Sequence, residues 1–166
     1  SAALELARTR LGSLAEKSVV VLGLGKMGQI CVKHLLSEGG SGAVVLLNRN
    51  QERITAFLKS KLNNKEKIKS GFDFSERTAL AAQADLVIVS TGADEPVLDA
   101  KSLAAHRHAG SPEQLIIDIS VPRNVEPAVA SLEKVNLAHA DDLAEIVTRN
   151  KAEREAIVFE AESIVY

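Results

Sequence analysis

The stretch from residue 18 to residue 35 limits the possible folds of this chain more than any other part of its sequence. The run over residues 18–22 contains three consecutive valines and predicts a strand that is buried on both faces. Gly23, Gly25 and Gly28 follow directly in a G-x-G-x-x-G pattern. A helical apolar stripe comes next, formed by Met27, Ile30, Cys31 and Leu35. A strand, a glycine loop and a helix in this order indicate a dinucleotide-binding unit.

Strands and helices are predicted to alternate along the rest of the chain. Further strands are expected at residues 43–47, 68–72, 86–90, 115–119 and 135–139. Besides the helix after the glycine loop, helices are expected at residues 4–11, 54–62, 76–84 and 125–132. Asn50 is a predicted N-cap for the helix over 54–62. This alternation predicts an α/β domain with a doubly wound parallel sheet, that is, a Rossmann-like fold with a long C-terminal helix.

The C-terminal residues differ from the rest of the chain. From Asp142 to Tyr166 there is neither proline nor glycine, and a mostly continuous apolar stripe predicts one long helix. Asp142 and Glu145 resemble the start of a capping box. This helix is longer than the sheet needs and the chain begins with Ser1 rather than methionine, so we expect a piece of a longer protein. The predicted domains are residues 1–141, a dinucleotide-binding Rossmann domain with a lead-in helix, and residues 142–166, the start of a linker helix.

Each glycine of the loop has a predicted role in holding a pyrophosphate. Gly23 permits the tight turn, Gly25 lets the backbone approach the phosphates, and Gly28 lets the helix pack closely on the strand. The N-terminus of the helix then presents unpaired N–H groups and the positive end of its dipole. The predicted cofactor site therefore includes the whole loop, Gly23, Leu24, Gly25, Lys26, Met27 and Gly28. The alternative is a glycine-rich turn without a ligand.

The end of the second predicted strand favours NADPH over NADH. Asn48 and Arg49 stand about twenty residues after the loop, where NAD sites usually carry Asp or Glu. A carboxylate repels a 2′-phosphate, whereas the guanidinium of Arg49 can bind one through two hydrogen bonds, and Asn48 adds neutral donors. In the alternative interpretation, Arg49 is a solvated charge that pairs with Glu52.

Two further strand ends belong to the same edge of the predicted sheet. Ser90, Thr91 and Gly92 follow the fourth strand and either contact the cofactor or form a glycine-assisted turn, and the sequence favours neither. Residues 118–124 follow the fifth strand. They place Asp118 and Ser120 near this edge, and Pro122 stiffens the turn.

Composition excludes several other functions. A net charge of −2, 3% aromatic residues and no tryptophan are unlike a stand-alone nucleic-acid binder. No apolar run is long enough to span a membrane, and a single cysteine indicates a reducing compartment such as the cytoplasm. That residue, Cys31, is expected to pack in the core as a small hydrophobe rather than to act in catalysis.

The histidines do not form a predicted metal site. His106 and His108 flank Arg107 in a predicted loop, with no third ligand nearby. His34 is expected on the exposed face of its helix, and His139 ends the sixth strand, where it can face a neighbouring domain. The pair Asp141-Asp142 is interpreted as a helix N-cap.

Taken in order, these motifs resemble glutamyl-tRNA reductase. The resemblance rests on residues 1–7, the glycine loop, Asn48-Arg49, and residues 90–92, 118–123 and 141–143, and it covers essentially the whole chain. The glycine loop and the Asn-Arg pair also occur in shikimate dehydrogenases, whereas residues 118–123 and 141–143 are more specific. Two residues depart from the family pattern: Leu24 stands where a small residue is usual, and Lys26 where many members have Glu.

The resemblance implies a reaction and a domain organisation. Members of the family move glutamate from glutamyl-tRNA to a cysteine as a thioester, and NADPH reduces it to glutamate-1-semialdehyde, the first committed step of tetrapyrrole synthesis by the five-carbon route. That cysteine lies in an N-terminal domain, so no catalytic residue is expected in this chain. A C-terminal helical domain at the end of a spinal helix forms the homodimer, and most contacts with tRNA are expected outside this chain. Two alternatives stay open, the NADP domain of a shikimate-dehydrogenase-like enzyme and a non-catalytic dinucleotide-binding module.

Overall fold

The computed structural model describes residues 1–37 and 41–165, and their side chains apart from those of residue 154 and residues 156–165. Within this part of the chain, six parallel strands form one sheet. They are β1 Val19–Leu22, β2 Val44–Leu47, β3 Ile68–Lys69, β4 Leu86–Val89, β5 Gln114–Asp118 and β6 Val135–His139. Their order across the sheet is β3-β2-β1-β4-β5-β6, which confirms the doubly wound parallel sheet predicted from the sequence.

Helices connect and flank these strands. They are α1 Ala2–Leu11, α2 Lys26–Leu35, α3 Gln51–Lys59, α4 Arg77–Ala82, α5 Ala100–His106 and α6 Ala140–Val165. Short 3-10 turns lie at Lys65–Lys67, Phe74–Glu76 and Pro127–Ser131. In the described part of the chain, no helix is long and apolar enough to cross a membrane.

The central strands are buried because helices cover both faces of the sheet. Every residue of β1, β4 and β5 is buried, as their runs of valine, leucine and isoleucine predict. Successive side chains of a strand point to opposite faces, so they enter two separate apolar clusters. Helices α1, α2 and α3 pack on one face, and α4 and α5 pack on the other. The strand ends are thereby fixed in register, and the loops that follow them form a defined edge.

The start of α3 was predicted from the sequence, but the helix α5 was not. Asn50 caps α3 as predicted, because its side-chain oxygen accepts hydrogen bonds from the N–H groups of Glu52 and Arg53. The helix α5 was missed, so His106 ends a helix instead of standing in a loop. Asp99 starts this helix by accepting the N–H of Ser102, but seven residues are too short for an apolar period to be visible.

Two other predicted elements are shorter than expected. The helix predicted over 125–132 is a 3-10 turn at Pro127–Ser131, and Val125 instead forms a parallel bridge with Leu98. The third strand ends at Lys69 rather than at residue 72, because it pairs only with the first two residues of β2.

The helix α6 begins at Ala140, two residues before its predicted start. Asp142 lies in its first turn and accepts the N–H of His139 at 2.8 Å. Its side chain therefore bonds back to the residue before the helix rather than acting as the N-cap. Further along, Ile146 is buried in the core and the side-chain amide of Asn150 donates to Glu5 of α1 at 2.7 Å. The beginning of α6 is therefore packed against α1.

Candidate functional site

The glycine loop at residues 23–28 lies at the carboxyl end of β1, where the strand order reverses between β1 and β4. Gly23 has a φ of +95°, and a Cβ at this position would lie 2.2 Å from the carbonyl oxygen of Ser90. A Cβ on Gly28 would lie 2.4 Å from the carbonyl oxygen of Gly23. The packing of the chain on itself therefore requires both of these glycines.

Gly25 differs from its neighbours because none of the residues that the structure describes requires a glycine there. Its φ of −67° and ψ of −177° are open to any residue. A Cβ at Gly25 would meet only Ser90, with the carbonyl oxygen at 3.7 Å and the hydroxyl oxygen at 3.9 Å, which are ordinary contacts. The described residues thus leave the space beside Gly25 unfilled, and a ligand can approach the backbone there.

The backbone N–H groups of the loop are available to an anion. Among the described residues, no acceptor is hydrogen-bonded to the N–H of Gly25, Lys26, Met27 or Gly28. The first turn of α2 contains no acidic side chain, and the side chain of Lys26 is exposed. Unpaired N–H groups and the positive end of a helix dipole suit a phosphate group.

Two loop residues are placed differently from the prediction. Leu24 is fully buried, and its N–H donates to the side-chain oxygen of Asn48 at 3.1 Å, so it has no donor left for a cofactor. Its carbonyl oxygen accepts from the side-chain amide of Gln29 at 3.0 Å. Met27 was predicted on the buried stripe of α2 but is 50% exposed, because it lies in the first turn of the helix at the edge of the sheet.

Asn48 joins the end of β2 to the glycine loop. Besides accepting the N–H of Leu24, it donates from its side-chain nitrogen to the carbonyl oxygen of Asn50 at 2.9 Å. The sequence suggested that Asn48 offers donors to a 2′-phosphate. The structure engages the side-chain oxygen and one of the two side-chain N–H donors within the chain, where they fix the loop relative to the start of α3.

Arg49 follows on the same strand end and is exposed. Its guanidinium carbon lies 4.9 Å from the centre of the Phe74 ring, a distance typical of a cation–π interaction. Within the described part of the chain, Arg49 forms no ion pair, so the alternative pairing with Glu52 is wrong. The positive charge of Arg49 is therefore available to an anion outside the chain.

Sequence reasoning missed the turn that carries Phe74, whose ring lies beside Arg49. Asp73 and Glu76 form a capping box, and hydrogen bonds from Ser75 lower the pKa of Asp73. The guanidinium carbon of Arg77 also lies 4.9 Å from the centre of the Phe74 ring. The Asp-x-x-Glu spacing was a signal that could have located this turn, but nothing in the sequence pairs Phe74 with Arg49.

The loop after β4 forms the turn that the sequence left open and also has one side chain without a hydrogen-bond partner among the described residues. The hydroxyl of Thr91 donates to the side-chain oxygen of Asn124 and accepts the N–H of Ala93 at 3.1 Å, so it acts within the chain. Gly92 is exposed with a φ of +69°, as a glycine-assisted turn requires. The hydroxyl of Ser90, by contrast, has no hydrogen-bond partner among the described residues and lies next to Gly25.

Asp118 organises the loop after β5. It is 2% exposed, and its carboxylate accepts the N–H groups of Ser120, Asn124 and Val125 at 3.1, 2.7 and 2.8 Å. The fully buried Asn124 in turn donates from its side-chain amide to the carbonyl oxygen of Ala93 at 2.8 Å. Asp118 therefore ties the loops after β4 and β5 together, and its carboxylate is directed into the chain rather than toward a ligand.

Replacing Asp118 with alanine is expected to lower the free energy of unfolding by about 3–4 kcal/mol, because buried N–H groups lose a charged acceptor. Urea denaturation of the variant measures this change. Asp94→Ala is the matched control, since Asp94 is exposed and its loss is expected to cost less than about 0.5 kcal/mol. A loss below about 1 kcal/mol in Asp118→Ala would contradict its role as an organising residue.

The only cysteine of the sequence lies in the core, as predicted. Cys31 is fully buried, and this burial raises the pKa of its thiol. A reactive cysteine needs an accessible, electropositive setting that stabilises the thiolate. Cys31 is therefore a packing residue of α2.

The histidines have separate local surroundings. His34 is exposed on α2, as predicted, and the Nδ1 atom of His108 accepts the N–H of Gly110 at 3.1 Å. His139 is half-buried at the end of β6, with its Nδ1 atom 3.8 Å from the carboxylate of Asp142. Among the described residues there is no group of three or more side chains that could hold a metal ion.

The fold and its glycine loop define the class of protein. A parallel sheet in the order β3-β2-β1-β4-β5-β6, with a G-x-G-x-x-G loop where the order reverses, is a Rossmann-type dinucleotide-binding domain. The chain belongs to the shikimate / quinate 5-dehydrogenase family, whose sequence profile matches residues 5–146.

The individual relatives to which this chain is similar are glutamyl-tRNA reductases, which confirms the resemblance seen in the sequence. The chain is 37% identical to the glutamyl-tRNA reductase of Synechococcus sp. (strain JA-3-3Ab), over 99% of this chain and 37% of that protein. It is 38% identical to glutamyl-tRNA reductase 2, chloroplastic, of Cucumis sativus, over 99% of this chain and 30% of that protein. The structure of glutamyl-tRNA reductase from Methanopyrus kandleri superimposes with a TM-score of 0.81 and 34% identity, covering 96% of this chain and 39% of that one. The chain thus spans 30–39% of the length of these relatives.

Proposed function

We propose that this chain is the NADPH-binding domain of a glutamyl-tRNA reductase, the enzyme that reduces glutamyl-tRNA to glutamate-1-semialdehyde in tetrapyrrole biosynthesis. The observation that carries the cofactor assignment is the pair of features at one sheet edge. Gly25 lies beside a space that the chain leaves unfilled, and the neighbouring N–H groups have no acceptor in the described residues. The exposed guanidinium of Arg49 stands at the next strand end, where no carboxylate among the described residues neutralises it.

Each part of this edge has a proposed task in binding. The N–H groups of Gly25, Lys26, Met27 and Gly28 hold the pyrophosphate, and the exposed ammonium of Lys26 adds positive charge. Arg49 binds the 2′-phosphate through its guanidinium edge. Ser90 and the turn at Thr91-Gly92 line the site beside the loop. When bound, the cofactor supplies the hydride for reduction of the carbonyl carbon of the glutamyl group.

Leu24 and Asn48 enter this proposal as supporting residues. The hydrogen bond from the Leu24 N–H to the Asn48 side chain fixes the loop against β2, and Gly23 allows the loop to cross Ser90 closely. The backbone donors are thus held in place before a ligand arrives, which lowers the entropic cost of binding.

The domain organisation is proposed together with this function. Residues 1–141 form the NADP-binding domain with its lead-in helix, and residues 142–166 form the start of the spinal helix. The packing of Ile146 and Asn150 against the body of the domain supports a helix that is anchored here at its beginning. In the complete protein, contacts with glutamyl-tRNA and the homodimer interface are proposed to lie mostly in other domains.

A location in the cytoplasm stays a prediction from the sequence.

A second candidate function is that of a non-catalytic dinucleotide-binding module, which the buried state of Cys31 favours for this chain taken alone.

NADPH is expected to bind the chain at least about tenfold more tightly than NADH, because a charged hydrogen-bond pair to the 2′-phosphate is worth about 1.5–3 kcal/mol. Arg49→Ala is expected to remove this preference while it leaves NADH affinity nearly unchanged. Isothermal titration calorimetry with both cofactors measures the two affinities.

Two further variants sharpen this test. Arg49→Lys keeps the positive charge but loses the planar pair of donors, so an intermediate preference is expected. Arg8→Ala removes an exposed arginine from α1 and serves as the matched control. Equal affinities for NADPH and NADH in the unmodified chain would contradict the cofactor assignment.

A further inference from the structure

We propose that Phe74 is a positioning residue that holds the guanidinium of Arg49 ready for the 2′-phosphate of the cofactor. This inference rests on the proposed function and concerns the choice between NADPH and NADH. The surroundings of Arg49 support this role. Its guanidinium forms no ion pair or hydrogen bond with the described residues, yet its central carbon lies 4.9 Å from the centre of the Phe74 ring.

The ring of Phe74 is itself held in place. The capping box of Asp73 and Glu76 fixes the turn that carries it, and the half-buried ring packs against the apolar cluster under α4 and α5. Arg77 donates from Nε to the carbonyl oxygen of Val97 at 2.7 Å and from Nη1 to that of Phe74 at 3.3 Å. These bonds make the ring a firm platform rather than a mobile surface side chain.

The platform is also tied to the segment that carries Arg49. The side-chain amide of Gln51, two residues further along the chain, donates to the carbonyl oxygen of Phe72 at 3.2 Å. Phe72 in turn lies two residues before Phe74. The start of α3 and the turn at Phe74–Glu76 are therefore held side by side, which keeps Arg49 within reach of the ring.

A stacked guanidinium is better prepared to bind a phosphate than a free one. Arginine can rest one face on an aromatic ring while the N–H groups at its edge remain available for a bidentate contact. Restricting the side chain beforehand reduces the rotamer entropy that is lost on binding. Arg77 lies at the same distance from the ring, so its positive charge adds to the attraction of an anion near Phe74. Because two nitrogens of Arg77 already donate within the chain, Arg49 is the group that meets the phosphate.

The test compares NADPH and NADH affinities, measured by calorimetry, in the unmodified chain and in Phe74→Leu, Phe74→Tyr and Arg49→Ala. Phe74→Leu keeps an apolar side chain but removes the ring, and the ratio of NADPH to NADH affinity is expected to fall about two- to fivefold. Phe74→Tyr keeps the ring and is expected to keep the ratio. In the Arg49→Ala background, Phe74→Leu is expected to leave the ratio unchanged, because the guanidinium that it positions is gone.

NADH affinity reports whether each variant still folds and binds, since NADH has no 2′-phosphate. A preference for NADPH that survives unchanged in Phe74→Leu overturns the positioning role and leaves the cofactor assignment intact. A lower ratio that Phe74→Tyr does not restore also overturns it, because the effect then does not follow the ring. Absence of any preference in the unmodified chain overturns both the cofactor assignment and this inference.

Discussion

The variant Gly25→Val is expected to lose dinucleotide binding while the domain stays folded. The backbone angles at Gly25 suit valine, and the first added carbon meets only ordinary contacts with Ser90 at 3.7 and 3.9 Å. The same side chain would occupy the space in which a pyrophosphate meets the N–H groups of the loop. Loss of two charge-assisted hydrogen bonds, each worth about 1.5–3 kcal/mol, lowers affinity by about 100-fold or more.

The two neighbouring glycines provide a contrast within the same loop. Gly23→Ala places a Cβ 2.2 Å from a backbone oxygen at a positive φ, and Gly28→Ala places one 2.4 Å from another. Both variants are therefore expected to lower the unfolding temperature strongly, whereas Gly25→Val is expected to change it little. Thermal unfolding and calorimetric titration of all three variants separate packing from binding.

Two outcomes would contradict this account of the loop. NADPH binding of unchanged strength in Gly25→Val would show that the loop does not hold phosphates. A strong loss of stability in Gly25→Val would show that the chain itself needs the space beside Gly25.

The sheet could be predicted from sequence because each central strand contains a continuous run of apolar residues. Runs such as Val19–Leu22 and Leu86–Val89 are apolar throughout, which only a strand covered on both faces requires. The cap of α3 was equally visible, since Asn50 bonds to N–H groups two and three residues away. Predictions succeeded where the partners of a residue lie nearby in the chain.

The side chains of the site were harder to predict because their partners are distant in sequence. Asn48 bonds to Leu24, and Thr91 bonds to Asn124. Both side chains follow strand ends, where a ligand could reach them, but they form hydrogen bonds within the chain. The sequence shows that these residues reach the edge of the sheet. It does not show which of their donors and acceptors remain unpaired there.

The contact between Phe74 and Arg49 was not predicted, because these residues too are distant in sequence. The short segment between β3 and α4 carries no apolar period, so its turn and capping box were not predicted, and the predicted helix began only at residue 76. Its position beside Arg49 depends on tertiary contacts, among them the bond from Gln51 to Phe72. The sequence indicates Arg49 and carries a signal for the turn at Phe74, but it does not show that these two segments meet.

The chain by itself is expected to produce no glutamate-1-semialdehyde from glutamyl-tRNA, even when NADPH is saturating. In the proposed enzyme, a thiolate displaces the tRNA from the glutamyl ester before the resulting thioester is reduced. The only thiol in this chain is that of Cys31, whose burial raises its pKa and denies it access to a substrate. Incubation of the chain with glutamyl-tRNA and NADPH, followed by detection of the aldehyde, measures this expectation.

This expectation assigns cofactor binding to this chain and the nucleophile to another domain, and further variants test that division. Cys31→Ala is expected to bind NADPH with unchanged affinity, because the side chain lies in the apolar cluster behind the loop rather than beside Gly25. Joining the chain to the catalytic domain of a homologous glutamyl-tRNA reductase is expected to produce activity that depends on the cysteine of that domain and on Arg49 here. Hydride transfer needs the reacting atoms within about 3–3.5 Å of each other, and one domain cannot supply both partners of that geometry. Aldehyde formation by this chain alone, abolished by Cys31→Ser, would place the nucleophile within the Rossmann domain and overturn that division.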